Sequence, residues 1–73
     1  HKAIERALSK LPEKTREIFM LSRYDGLKNQ QIAETKNISQ KTVEYHISKA
    51  LQILKEELPQ EYWIWIFLIR FII

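Results

Sequence analysis

The chain has no cysteine, one glycine (Gly26) and two prolines (Pro12 and Pro59) in 73 residues. Without thiols there is neither a disulfide framework nor a thiolate metal site, and His1 and His46 stand too far apart to resemble ligand spacing. No metal and no cofactor is therefore expected, and apolar packing alone must hold the fold. Such a chain suits a reducing, cytoplasmic setting. No nucleophile with a base, no paired buried carboxylates and no glycine-rich phosphate loop is present, so there are no catalytic residues to name and an enzyme is not expected. The chain also opens at His1 without a signal-peptide pattern, and it reads as a fragment of something longer. A domain of this length buries only about 60% of its unfolded surface, which leaves no room for a large enzyme core.

What the chain does have is a mild excess of base: Lys and Arg outnumber Asp and Glu twelve to nine, giving +3 and a pI near 9.3. That is a lean toward a polyanion. A composition shift divides the sequence. From Tyr62 to Ile73 every residue except Arg70 is apolar or aromatic, and both tryptophans fall there. Glu61 and Arg70 cancel, so the net charge belongs to residues 1–60. We read 1–60 as one soluble domain and 61–73 as a hydrophobic tail, with Pro59 at the join because it cannot continue a preceding helix. As a helix the tail would span roughly 18 Å against a hydrocarbon core of about 30 Å, too short to cross a membrane. It can fold back, pair with another copy, or lie on a partner or membrane surface. Self-association through Trp63–Ile73 is the expectation, because a 60-residue domain has too little surface to bury an all-round apolar helix alone.

Within residues 1–58 the periodicity is helical. Ala3, Ile4, Ala7, Leu8 and Leu11 form one stripe that Pro12 ends. A second helix from about Pro12 to Tyr24 starts with Pro in its first turn, buries Ile18, Phe19, Leu21 and part of Ser22, and is followed by Gly26, placed where a helix C-terminus wants a left-handed residue. A third, short helix fits Asn29 to Thr35 with Ile32 and Ala33 inward and Asn29 as its cap; Lys36 and Asn37 make the break, since Asn tolerates positive φ. Ser39 has the oxygen an N-cap needs and opens the longest helix, whose stripe is Val43, Ile47, Ala50, Leu51, Leu54 and Leu58. The class is all-α, a small four-helix domain plus an apolar, helical C-terminal tail.

A short helix, a tight break and a longer helix form the helix-turn-helix, whose second helix enters the major groove. Its demands are met by Ala33 at the crossing, Asn37 in the turn, and Ile38 and Val43 as plugs between the helices. A wheel at 100° per residue leaves Lys41, Thr42, Tyr45, Ser48, Lys49 and Gln52 on the outward side, with no acidic residue among them. Such side chains reach phosphates and base edges. A polar face of this kind also suits a helical bundle that serves only as an interaction module. His46, on the flank with no second ligand, is read as a partly exposed side chain or a phosphate contact.

The segments Leu11-Pro12-Glu13, Arg16-Glu17-Ile18-Phe19, Tyr24-Asp25-Gly26-Leu27, Gln31-Ile32-Ala33-Glu34, Ile38-Ser39 and Thr42-Val43 resemble region 4 of the extracytoplasmic-function sigma factors of bacterial RNA polymerase. The resemblance covers about residues 2 to 58. It implies a four-helix domain that binds the minus-35 promoter element with its last helix and packs on the β flap of the polymerase core, with an anti-sigma protein as a further partner class. The output domains of LuxR-type response regulators share the Ile-Ala-Glu, Ile-Ser and Thr-Val-Glu pieces. The longer Leu11 to Gly26 interval and the Leu-Pro opening favour the sigma pattern. Position by position, the resemblance assigns DNA contact to Ser39, Lys41, Thr42, Tyr45, Ser48 and Lys49, with Lys41 and Lys49 on phosphates and Tyr45 and Ser48 toward bases. Glu44 departs from the pattern, standing where a basic residue is usual; there it would repel phosphates or accept from a cytosine amine. Lys28 likewise replaces a capping Ser. Region 2, which melts the promoter, is absent from the sequence, so this chain is expected to recognise an element without starting transcription.

Overall fold

A computed structural model describes residues 2–58; His1, the border expected at residue 60 and the tail at 61–73 lie outside the described residues. Among the described residues the order is α1 (Lys2–Ser9), α2 (Glu13–Arg23), α3 (Asn29–Lys36) and α4 (Gln40–Glu57). The class is all-α, as the periodicity requires.

Each boundary has a local cause. The turn after α1 closes through Lys10 N–H to Ala7 O and Leu11 N–H to Leu8 O, both 3.1 Å, and delivers Leu11 into the core. Pro12 is the N-cap of α2 and not part of its first turn: its ψ of 147° is extended, and its carbonyl accepts from Arg16 N at 2.8 Å. A proline loses nothing there, since that amide has no helical partner. Tyr24 caps the other end, and Gly26 at φ +69° turns the chain so that Leu27 N reaches Leu21 O at 3.1 Å. No atom lies within 4 Å of where a Cβ would sit on Gly26, so conformation and not crowding demands the glycine.

The cap of α3 differs from expectation. Lys28, with extended φ and ψ of −77° and 158°, is the N-cap, and Asn29 is already the first helical residue. A lysine side chain has no acceptor, so the reciprocal contact does the work: Gln31 Oε1 reaches back to Lys28 N at 2.8 Å. Asn37 takes φ 56° and ψ 49°, the left-handed turn of the helix-turn-helix, and Ile38 N closes it on Ala33 O at 3.0 Å.

Two apolar clusters share α4 as their spine. One joins Ala7 and Leu11 to Phe19, to Ala50, Leu51 and Leu54 on the C-terminal half of α4, and to its C-cap Leu58. The other packs Ile18 of α2, Ile32 and Ala33 of α3 and Val43 of α4 into the joint of the helix-turn-helix. Ile18, Ile32 and Val43 are completely buried, each contributing about 1.5–3 kcal/mol of transfer free energy. Ile47 touches both clusters yet stays half-buried, because its outer edge lines a surface groove. One buried polar side chain, Thr15, is unannounced by the apolar pattern. Lys36 Nζ meets Glu17 Oε2 at 2.7 Å on the surface, and that ammonium holds the Glu17 carboxyl below its ordinary range. So exposed a pair contributes little to stability.

Candidate DNA-binding interface

The two clusters fix the C-terminal helix against α2 and α3 and leave one side of it open. Lys41, Tyr45, Ser48 and Gln52 follow one another at intervals of four, three and four residues and form the crest of that side. Lys41, Glu44, Tyr45, Ser48 and Gln52 are exposed, Tyr45 at 57%. Tyr45 is thus a large, open side chain on a helix whose opposite side is packed.

At the start of α4, Ser39 Oγ accepts from Thr42 N at 3.0 Å, and the two hydroxyls are hydrogen-bonded at 2.9 Å. Ser39 thus satisfies one of the four amides a helix leaves unpaired, and it holds Thr42 in place. These two side chains shape the helix end first; any contact they make with a ligand uses the lone pairs and amides that remain. The positive end of the α4 dipole lies in the same place.

Beyond the crest the structure splits the site residues into two flanks. On one flank Gln40, Glu44 and Ser48 line a groove of about 660 Å³ with Ser22, Arg23, Leu27, Lys28, Asn29 and Gln30 from the end of α2 and the start of α3. Glu44 therefore lies in a groove that also presents Arg23 and Lys28, so its charge does not stand alone on the helix. Arg23 is itself positioned: its guanidinium sits 5.7 Å from the Phe19 ring centroid and donates to Ser22 Oγ at 3.0 Å. The aromatic face and the hydroxyl hold a side chain that would otherwise be mobile.

On the other flank stand Tyr45, His46 and Lys49. The Lys49 ammonium is 5.6 Å from the Tyr45 ring centroid and 3.4 Å from its hydroxyl, and the Tyr45 and His46 rings meet edge to face at 5.2 Å. His46 is half-buried, and its Nδ1 is hydrogen-bonded to Thr15 Oγ1 of α2 at 2.9 Å. Burial, then the positive charges of Lys14 and Lys49, push its basicity below that of an ordinary imidazole. Among the described residues no group of three His, Cys, Asp or Glu side chains could hold a metal ion, and no helix is long and apolar enough to cross a membrane.

Reading from the sequence places the crest and the α4 residues of both flanks but passes over what the rest of the fold brings to them. Arg23 and Lys28 share a groove with α4 from the end of α2 and the cap of α3, and the Thr15–His46 bond joins positions 31 apart. The one trace of it in the sequence is a threonine on the inward side of α2 where an aliphatic residue would fit.

The model of the family Sigma-70, region 4 matches residues 1–54. No curated protein and no solved structure matches the chain. The matched span contains all four helix starts, both clusters except Leu58, and the whole exposed crest, so sequence family and architecture coincide. The chain belongs to the sigma-70 region 4 family, the helix-turn-helix domain with which sigma factors bind promoter DNA and RNA polymerase in transcription initiation.

Proposed function

We propose that this domain reads the minus-35 promoter element as region 4 of an alternative sigma factor of the extracytoplasmic-function type, working on RNA polymerase in the cytoplasm. The observation that carries this reading is the open crest of α4, where Lys41, Tyr45, Ser48 and Gln52 stand out from a helix pinned by Val43, Ala50, Leu51 and Leu54. A rigid helix with an acid-free, hydrogen-bonding ridge is what the major groove accepts. In this reading Lys41 and Lys49 hold phosphates, Tyr45 and Ser48 face base edges, Ser39 and Thr42 set the helix end against the backbone, and Glu44 selects sequence by accepting from a cytosine amine. In this reading the polymerase flap and an anti-sigma protein are the domain's protein partners.

Replacing Lys41 or Lys49 with Ala is expected to weaken binding to every DNA sequence alike and to lower the slope of log K against log salt by about one. Unchanged affinity and slope in both variants would remove these residues from the interface. For the tail we propose self-association through Trp63–Ile73, supported by its composition alone: every residue from Tyr62 onward is apolar or aromatic except Arg70.

A further inference from the structure

Tyr45 is the largest side chain on the exposed crest of α4, and at 57% exposure no packed core holds its ring. An open tyrosine on a helix ordinarily samples more than one rotamer. This ring has two neighbours that restrict it. The Lys49 ammonium, one turn on, lies 5.6 Å from the ring centroid and 3.4 Å from the hydroxyl, and the His46 ring meets it edge to face at 5.2 Å with 71° between the planes. The lysine contact is an ordinary pair four residues apart. The histidine contact is not, because consecutive side chains on a helix diverge by about 100° and do not face each other.

His46 is held in that position from another helix. Its Nδ1 is hydrogen-bonded at 2.9 Å to Oγ1 of Thr15, a side chain of α2 that is 1% exposed. A hydroxyl both donates and accepts, so the bond forms whichever ring nitrogen carries the proton. Among the described residues no buried side-chain nitrogen or oxygen lacks a hydrogen-bond partner, and for Thr15 that partner is His46. Valine has the same shape, so what threonine adds at this position is the bond.

We propose that Thr15 is a positioning residue for base readout: through its bond to His46 it sets the imidazole against Tyr45, and the clamp of His46 and Lys49 presents the tyrosine ring to the major groove in one orientation. The inference rests on the reading of Tyr45 as a base contact. A side chain already in its bound rotamer loses less conformational entropy on binding, so the clamp adds affinity only where the ring meets a base. Contacts to the sugar-phosphate backbone do not depend on that rotamer. Thr15, itself buried away from DNA, therefore acts on discrimination between sequences and not on the salt-dependent part of binding.

For the test, the unaltered 73-residue chain selects a site from a pool of random duplexes, and fluorescence anisotropy compares that duplex with a scrambled one of the same composition. Thr15→Val is expected to lose about two- to tenfold in affinity for the selected duplex while its affinity for the scrambled one and its salt slope stay the same. Thr15→Ser, which keeps the hydroxyl, is expected to restore the loss. His46→Ala is expected to lose the same factor, and the double variant no more than either single one. A role in stability alone would lower the thermal midpoint and leave the ratio of the two affinities unmoved, which overturns the proposal. Should Thr15→Val lose its helical circular dichroism, the χ1 coupling constants of Tyr45 are measured by NMR in the unaltered chain and in His46→Ala; one rotamer in the first and averaging in the second supports the clamp, and any other pair of results overturns it. If Thr15→Val discriminates as well as the unaltered chain while Tyr45→Ala does not, the positioning is wrong and Tyr45 remains a base contact. If Tyr45→Ala also discriminates as well, or if no site is recovered from the pool, the base-contact reading fails and the proposal with it.

Discussion

Ser39 carries two demands on one hydroxyl, because it both caps α4 and sits where DNA contact is proposed. The cap is the stronger claim on it, with Thr42 N at 3.0 Å and Thr42 Oγ1 at 2.9 Å already bound. Ser39→Ala is expected to lower stability by about 1 kcal/mol, read from urea unfolding, and Ser39→Asp to restore it, since a carboxylate also caps and suits the dipole. If alanine costs nothing, the hydroxyl is spare and its role lies at the DNA. Two neighbouring turns show the same economy: Asn37 at φ 56° and Gly26 at φ 69° supply the left-handed conformations that let short helices pack at an angle. Both were legible as residue types, because few side chains tolerate that region. The cap of α3 was not legible in the same way. Nothing in a lysine announces an N-cap, and the position works because Gln31, three residues on, supplies the acceptor.

At the scale of the element, the angle between α3 and α4 decides whether the crest reaches a groove at all. Ile32 and Val43 close that joint with no exposed surface, and Ala33 allows the two helices to approach. Ile32→Ala is expected to cost about 2–5 kcal/mol through lost burial and an unfilled cavity, a large share of what a domain this small possesses, and to appear as a drop in the thermal midpoint by circular dichroism. A loss below about 1 kcal/mol would mean that the joint relaxes around the gap. The stripes that build the joint stand plainly in the sequence at three- and four-residue steps, because one helical face must be apolar to be buried. Ile47 shows the limit of that reading. It sits in the middle of the α4 stripe by angle, yet it is half-buried, since where its neighbours' cover ends is a property of how three helices meet.

For the whole molecule, the two apolar clusters of the described residues run to Leu58, which is itself buried with α1, α2 and α4 residues. A chain ending at Gln60 is therefore expected to keep its helical circular dichroism and its DNA binding, and by light scattering to be monomeric where the 73-residue chain forms dimers or larger species. At about 1.5–3 kcal/mol for each large side chain removed from water, a few tail residues offset much of the entropy cost of association. A full chain that stays monomeric at high micromolar concentration would overturn the self-association proposal. A truncated chain that unfolds would show that the tail completes the core of its own domain.

The sequence by itself determined the class, the four helices, the left-handed turns, the family and the crest of α4, because each of these depends on neighbours within about four positions along the chain, where helical geometry is fixed. The tertiary structure decided which charges share a surface. Glu44 gains the company of Arg23 and Lys28 in one groove, and His46 is bonded to Thr15 with Lys14 and Lys49 acting on its ring. Those partners come from helices whose approach is set by Ile18, Ile32, Ala33 and Val43 packing together, and side-chain periodicity carries no information about what a neighbouring helix brings to the boundary.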